Sequence, residues 1–152
     1  EPRGVDAALS RAESTGAAAA AIELPDGKIM TGKTSNLLGP SAALILNALK
    51  ELAGIDHDLH VISPTAIEPI QKVKTQYLGS KNPRLHIDEI LIALSISSAA
   101  NPAAQHAMEQ LPKLKGCQVH TSVMLSSVDI KLFKKLGIQL TCEPKYEHDP
   151  IY

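Results

Sequence analysis

The chain has 152 residues, a net charge of −1 and a hydrophobic content of 44%, values typical of one soluble globular domain. This composition excludes a disordered chain, and the near-neutral charge argues against non-specific nucleic-acid binding, which needs a positive surface. The longest apolar runs, Ala17–Ile22 and Ile90–Ile96, are far shorter than the roughly 18 residues of a membrane span. The two cysteines form no CxxC pair, so we expect reduced thiols in a cytoplasmic protein.

The first quarter of the chain predicts a helix followed by a β-hairpin. Val5–Ser14 reads as a short helix that Gly16 ends, since glycine accepts the left-handed cap conformation. Pro25-Asp26-Gly27 is a strong tight-turn signal, because Pro fixes φ and Gly accepts a positive φ. We therefore expect Ala17–Leu24 and Lys28–Thr34 to pair as the two strands of a hairpin.

The middle of the chain predicts a buried helix, a short strand and a second helix. Leu37–Ala53 is apolar on most of its circumference, so we expect other elements to cover it on more than one side. His60–Ile62 indicates a short strand. A helix then begins at a capping box led by Thr65, or at Pro69, and runs to about Tyr77.

The last part of the chain alternates helices with strands. After a polar loop, the apolar spacing predicts two helices and then a strand, a helix and a strand, over Ile87–Ser98, Asn101–Leu111, Cys117–Leu125, Val128–Leu136 and Ile138–Cys142. The tail from Glu143 is expected to be peripheral. The element order predicts a single α/β domain over residues 1–152, a three-layer α-β-α structure whose mixed sheet is opened by the β-hairpin.

One segment matches the phosphate-loop pattern G-x-x-x-x-G-K-[ST]. In that motif a loop between a strand and a helix turns its backbone N–H groups towards phosphates, and its Lys reaches the terminal ones. Gly27–Thr34 has the required letters, but Ile29 and Met30 are typical of a strand and the next helix begins several residues late. No apolar strand ending in Asp is present to hold magnesium. We therefore interpret the segment as a hairpin arm and expect neither ATP nor another cofactor.

Two polar, basic segments, 33–36 and 80–84, are candidates for an anion site. Both lead towards helices, whose N–H groups and dipoles attract anions, and ligands of open α/β sheets collect at the carboxyl ends of strands. Solvated caps and turns would explain the same residue types. The candidate ligand-binding residues are Lys33, Thr34, Ser35, Asn36, Ser63, Lys81, Asn82, Arg84 and His86.

The histidines and cysteines predict neither a metal site nor a catalytic centre. His57 and His60 flank an aspartate, but their spacing suits isolated surface side chains better than metal ligands. His86 with Asp88 and Glu89 could perform acid–base chemistry in a cleft, although charges at a helix entry explain the same residues. No serine or cysteine lies in a recognisable nucleophile motif. Catalytic residues therefore stay unassigned.

Five strings of the sequence resemble one bacterial family. They are Ile22–Lys28, Thr31–Ser35, Leu46–Lys50, Leu78–His86 and Thr141–Pro144. In this order they are similar to the uncharacterised domain of unknown function 1846, also called uncharacterised protein family 0371. Its members are much longer, so the resemblance implies a C-terminal domain whose partner is the N-terminal domain of the same protein. A start without Met fits such a fragment, and the resemblance implies no activity.

A fainter resemblance concerns topology alone. A hairpin with an Asp-Gly turn, then Thr-Gly, then a buried helix looks like the opening of the cytidine-deaminase scaffold. That zinc chemistry needs H-x-E or C-x-E on the helix and P-C-x-x-C on the next one. Ser41–Ala53 has neither His nor Cys, so a shared scaffold would lack the zinc site.

Two functional hypotheses follow from the sequence. The first is that the domain helps to bind a small anionic metabolite or nucleotide, at an interface with the N-terminal domain. The alternative is a non-catalytic accessory domain for interdomain packing or oligomerisation, and the apolar helix Leu37–Ala53 motivates it.

Overall fold

The structure, a computed structural model, describes residues 3–147 as a four-stranded sheet with helices on both faces. In chain order the elements are α1 (Gly4–Thr15), β1 (Ala19–Glu23), β2 (Ile29–Lys33), α2 (Pro40–Leu52), α3 (Pro64–Lys72), α4 (Ile87–Ser97), α5 (Pro102–Glu109), β3 (Gln118–Thr121), α6 (Ser127–Lys135) and β4 (Gln139–Cys142). A π-helical turn, Val73–Tyr77, extends α3, and a 3-10 turn, Leu111–Leu114, follows α5. In this part of the chain no helix is both long and apolar enough to cross a membrane.

The strand order is β2-β1-β3-β4. β1 is antiparallel to both of its neighbours, and β3 is parallel to β4. The strands β2, β3 and β4 therefore run in the same direction, and their carboxyl ends lie at one edge of the sheet. The predicted α/β class, with a mixed sheet opened by a hairpin, is confirmed.

The hairpin forms around the predicted turn. The N–H of Gly27 donates to the carbonyl of Leu24 at 2.8 Å, and Gly27 has a φ of 86°, which suits a residue without a Cβ. β1 and β2 pair from Glu23 opposite Ile29 to Ala19 opposite Lys33. The hairpin interpretation of this segment is confirmed.

The helix α2 lies directly on the backbone of β2. Gly32 pairs with Ala20, and the backbone of α2 occupies the space where a side chain at position 32 would lie. A Cβ added there would lie 2.3 Å from the nitrogen of Leu44. Most residues of α2 are buried, against β1, β2, α4 and α5. The prediction that several elements cover this helix is confirmed, and its apolar surface is used inside the domain.

The opposite face of the sheet is covered by α1, through small residues. A Cβ added at Gly4 would lie 3.6 Å from the Cβ of Ala21, whose neighbours Ala20 and Ile22 point to the main core on the other side. Ala21 is fully buried. An alanine-rich β1 therefore allows α1 to approach one face while α2 approaches the other.

The predicted strand at His60–Ile62 is wrong. Residues 60–62 form a loop, although Val61 and Ile62 are buried and belong to the core. Two consecutive buried residues in a loop give the same apolar signal as a short strand. The next helix begins at Pro64 because Ser63, not Thr65, is its cap, with the Thr65 N–H donating to Ser63 Oγ at 3.2 Å.

The described part of the tail, residues 143–147, is exposed or half-buried, and it is hydrogen-bonded to the chain that follows β3. β3 ends at Thr121, earlier than predicted. The N–H of Met124 donates to the carbonyl of Lys145 at 2.6 Å, and the N–H of Glu143 donates to Thr121 at 2.9 Å. The rest of the tail, residues 148–152, lies outside the described residues.

Candidate functional site

A cleft of about 700 Å³ opens at the edge where β2, β3 and β4 end. Lys33 is the last residue of β2, Ser122 directly follows β3, and Lys145 comes three residues after β4; all three line the cleft. Clefts at the carboxyl ends of strands are the usual ligand sites of open α/β sheets, and this volume suits a small molecule.

Five of the nine predicted ligand-binding residues line this cleft, namely Lys33, Thr34, Ser35, Asn36 and Arg84. They come from two loops that are far apart in sequence and joined in space. An isolated parallel bridge pairs Leu38 with Leu85, and Arg84 Nε donates to the carbonyl of Ser35 at 2.7 Å. The two polar segments singled out in the sequence therefore meet at one wall.

Three cationic side chains line the cleft. Lys33, Arg84 and Lys145 all line it, and within residues 3–147 none of them lies within ion-pair distance of a carboxylate. Glu13 and Glu147 also contribute to the lining. Among the described residues that line the cleft, cations outnumber carboxylates by one, and this balance favours a small anion over a cation.

Thr34 places a buried hydroxyl at the cleft. The residue is 6% exposed, and its backbone N–H donates to the carbonyl of Ala18 at 2.8 Å. Its Oγ1 has no hydrogen-bond partner among the described residues. A buried hydroxyl without a partner costs about 1–3 kcal/mol, so such groups call for an explanation.

Ser35 and Asn36 shape the loop through their own hydrogen bonds. Ser35 Oγ accepts from the N–H groups of Leu37 at 3.2 Å and Leu38 at 3.1 Å, and the carbonyl of Asn36 accepts from Gln71 Nε2 at 2.9 Å. These two residues hold the wall in place, which leaves the charged side chains as the principal candidates for contact with a ligand.

The other four predicted residues lie outside this cleft. Ser63 caps α3, and Lys81 is exposed in its loop. Asn82 and His86 line a neighbouring crevice of about 10 Å³, which Arg84 shares. A space of that size holds at most about one water molecule.

Asp129 also lines the crevice. Its Oδ1 accepts from the backbone N–H of Ile87 at 3.0 Å, at the first residue of α4. Burial raises the pKa of this carboxyl, and the bond from Ile87 and the nearby charge of His86 oppose that rise. The carboxylate of Asp129 therefore accepts a hydrogen bond from the first N–H group of α4 and stabilises the start of that helix.

Glu89 is the centre of a hydrogen-bonded cluster at the same helix start. Its Oε1 accepts from the backbone N–H of His86 at 2.8 Å and from Lys74 Nζ at 2.9 Å, and His86 Nδ1 lies 3.3 Å away. Burial alone would raise the pKa of Glu89, but the hydrogen bonds from His86 and Lys74 outweigh it and lower the pKa to about 2. This arrangement supports the helix-entry explanation of these charges.

We expect Glu89→Gln to remove an acid-sensitive part of the stability. A carboxylate whose pKa falls from 4.5 to about 2 on folding stabilises the protein above pH 4.5, and this contribution is lost between pH 4.5 and 2. The variant should lose about 1–2 kcal/mol at pH 7 and converge on the parent near pH 2, as measured by urea unfolding at each pH. The matched control Glu109→Gln, whose exposed carboxylate lies 3.7 Å from His106, should behave like the parent. If the free energies of unfolding of Glu89→Gln and of the parent differed by the same amount at every pH from 7 to 2, the lowered pKa of Glu89 would be contradicted.

A polar network on β3 and β4 was missed by the sequence reasoning. His120 is buried, its Nδ1 lies 2.6 Å from Thr141 Oγ1, and its Nε2 lies 2.7 Å from Glu143 Oε2. The available signal was a histidine, His120, inside a predicted strand. Thr141 lies in the next predicted strand, and Glu143 follows it two residues later. The network fixes the start of the segment that carries Lys145 into the cleft.

The remaining histidines and the phosphate-loop pattern lie in other surroundings. His60 is exposed, and His57 Nε2 lies 3.8 Å from a carboxylate oxygen of Glu51. Across residues 3–147 no three His, Cys, Asp or Glu side chains are grouped as metal ligands. In the segment Gly27–Thr34, residues 29–33 are paired with β1, so their backbone forms a strand and not a phosphate-wrapping loop.

The fold and the cleft define an open mixed α/β domain with a polar, partly cationic cleft at its carboxyl edge. The family model for the domain of unknown function DUF1846, C-terminal, matches residues 2–152. The chain belongs to this family.

It is 57% identical over 150 residues to a UPF0371 protein of Corynebacterium glutamicum strain R, and the match covers 99% of this chain and 30% of the relative. A UPF0371 protein of Streptococcus thermophilus strain LMD-9 is 50% identical over 148 residues, covering 97% and 30%. The chain thus spans about 30% of the length of these relatives and corresponds to one part of a longer protein.

Proposed function

We propose that this domain binds a small anionic metabolite or nucleotide in the cleft at the carboxyl edge of the sheet. The observation that carries the proposal is the convergence of Lys33, Arg84 and Lys145 on one cleft, where no carboxylate of residues 3–147 lies within ion-pair distance of them. Charge-assisted hydrogen bonds from Lys and Arg to phosphate or carboxylate are among the strongest polar contacts in proteins.

The chemistry of the cleft favours a ligand with one anionic group and a polar body. Arg84 already donates through Nε to the carbonyl of Ser35, which fixes its side chain at the wall and leaves its other N–H groups for an anion. The hydroxyl of Thr34, which lacks a partner among the described residues, is a further hydrogen-bonding group of this wall. The carboxylate of Glu13 suits a hydroxyl or amino group of the same ligand.

The proposal does not require a phosphate loop. Lys33 ends a paired strand, so it acts as a side-chain cation and not as part of a loop that wraps phosphates. We accordingly propose that binding needs no magnesium and that ATP is not the preferred ligand.

We expect Lys33→Ala and Arg84→Ala each to weaken anion binding by about tenfold, the equivalent of about 1.4 kcal/mol. The measurement is a thermal-shift screen with inorganic phosphate, phosphorylated metabolites and nucleotides, with and without magnesium, followed by calorimetric titration of the hits. A ligand at about 100 times its Kd adds roughly 2.7 kcal/mol, which is readily detected.

The matched control is Lys81→Ala, which removes an exposed cation of the same loop that does not line the cleft. Its affinity should equal that of the parent. If all three variants lost the same amount of affinity, the anion would be attracted by the general charge of the protein, and the proposal of a binding site in the cleft would be refuted. A magnesium-dependent response to ATP that is lost in Lys33→Ala would instead support the phosphate loop.

A further inference from the structure

Tyr146 places an exposed aromatic ring in the lining of the cleft. The residue is 56% exposed, and it lines the cleft next to Lys145. Aromatic side chains are rare in this sequence, which has three tyrosines, one phenylalanine and no tryptophan. Phe133 is fully buried in the core, whereas Tyr146 is open to solvent. An exposed aromatic ring in a polar cleft offers a surface on which a flat ring of a ligand can stack.

Hydrogen bonds hold the segment that carries this ring. The carbonyl of Lys145 accepts from the N–H of Met124 at 2.6 Å, and the N–H of Lys145 donates to the carbonyl of Glu143 at 2.9 Å. Glu143 Oε2 in turn lies 2.7 Å from His120 Nε2, on β3. The chain is therefore anchored directly before Tyr146, and less conformational entropy is lost when a ligand binds to an anchored segment.

The cations of the same cleft suit a single phosphate group. A phosphate monoester carries a charge of about −1.5 to −2 at pH 7. The side chains of Lys33, Arg84 and Lys145 can balance that charge. A triphosphate has two further phosphate groups, and its charge exceeds that of the three cationic side chains. The charge of the lining therefore favours a monophosphate.

We infer, on the basis of the anion site proposed above, that the ligand is a nucleoside monophosphate whose base stacks on Tyr146 while Lys33 and Arg84 bind its phosphate. The ribose is the polar body of this ligand, and the carboxylate of Glu13 suits its hydroxyl groups. The cleft volume of about 700 Å³ lies within the range of roughly 300–1,000 Å³ that is typical of small-molecule sites. Because every base has a π face, stacking accepts purine and pyrimidine nucleotides alike.

The contribution of the base is measured against ribose 5-phosphate, which has the same sugar and phosphate but no base. Calorimetric titration of the full-length protein without magnesium gives the Kd of AMP, GMP, CMP, UMP and ribose 5-phosphate. We expect the tightest of the four nucleotides to bind at least about tenfold more tightly than ribose 5-phosphate, because stacking on an aromatic side chain has an effect of that order.

Tyr146→Leu should remove this advantage of the nucleotide and leave the Kd of ribose 5-phosphate unchanged. Tyr146→Phe should keep the advantage, because it keeps the ring. Since Tyr146 is mostly exposed, both variants should have the Tm of the parent. The matched control is Tyr77→Leu, which removes a tyrosine that is 71% exposed and does not line the cleft. Lys33→Ala should weaken nucleotide and ribose 5-phosphate by the same factor, because it acts on the phosphate that they share.

Each outcome decides the inference. Loss of the base-dependent advantage in Tyr146→Leu, but not in Tyr146→Phe or Tyr77→Leu, supports it. If the parent binds nucleotides and ribose 5-phosphate equally well, the anion site stands and the nucleotide is overturned. If Tyr146→Leu weakens all five compounds by the same factor, the ring only shapes the cleft, and stacking is overturned. If the protein binds no anion of the screen described above, the proposed function fails and the nucleotide fails with it.

Discussion

Replacing Gly32 by alanine is expected to destabilise the domain by about 3 kcal/mol or more, because the new methyl group would overlap the backbone of α2. An added Cβ would lie 2.3 Å from the nitrogen of Leu44, 2.6 Å from its Cα and 2.8 Å from the carbonyl carbon of Ala43. These are main-chain atoms of a buried helix, so no side chain can rotate away. The helix would have to shift off β2, with loss of packing along its whole contact. Urea unfolding monitored by circular dichroism gives the change in the free energy of unfolding.

The control for this experiment is Gly39→Ala, directly before α2. Gly39 has a φ of −68°, and the nearest atom to an added Cβ, the carbonyl oxygen of Leu85, lies 3.8 Å away. Alanine fits this position without overlap, and we expect a change below about 1 kcal/mol. If Gly32→Ala were as stable as Gly39→Ala, the close approach of α2 to β2 would be wrong.

The second large effect is expected for Phe133→Ala, at about 3–5 kcal/mol. Phe133 is the one phenylalanine of the sequence and is fully buried in the core. It lies on α6, the helix that connects β3 to β4, and its carbonyl accepts from the N–H of Ile138 at 2.9 Å. Truncation to alanine removes the ring and leaves a cavity. The surrounding core consists mainly of aliphatic side chains, and none of them can move alone to fill a space of that size.

The consequences of Phe133→Ala should extend to the cleft. Because α6 fixes β4 against β3, loosening it should also disturb Ser122 and Lys145, which follow these strands and line the cleft. The measurement is again the free energy of unfolding, combined with anion affinity at a temperature where the variant is folded. Val128→Ala, on the exposed side of the same helix, should cost less than about 0.5 kcal/mol. A Phe133→Ala variant with the stability of Val128→Ala would show that the core does not depend on this ring.

Local signals in the sequence were sufficient where neighbouring residues determine the structure. Pro25-Asp26-Gly27 specified the turn and hence the hairpin, because φ preferences act within three residues. The helices α6 and α5 begin within one residue of their predicted starts, because a neighbouring side chain caps each of them: Ser126 Oγ accepts from the N–H of Asp129, and Asn101 Oδ1 accepts from that of Ala103.

Local signals failed where distant contacts decide. Val61 and Ile62 are buried by the tertiary fold without a strand partner, which no pattern of three residues can reveal. The meeting of the loops at Lys33 and Arg84 depends on the bridge between Leu38 and Leu85, a pairing of segments about 50 residues apart for which the sequence has no local sign. Lys145 was missed for the same reason, since a polar tail gives no indication that it folds back over β3.

The pairing of β1 with β3 determines when the sheet can be completed during synthesis of the chain. The N–H of Ala19, on β1, donates to the Ser122 hydroxyl, 103 residues further along the chain. During synthesis the hairpin therefore leaves the ribosome with one edge of β1 open, and this edge stays unpaired until more than two thirds of the domain has been made. Closing so long a loop carries an entropic cost that slows folding. Since Ser122 and Lys145 both line the cleft and both belong to the last part synthesised, the cleft can form only after residue 145 has been made.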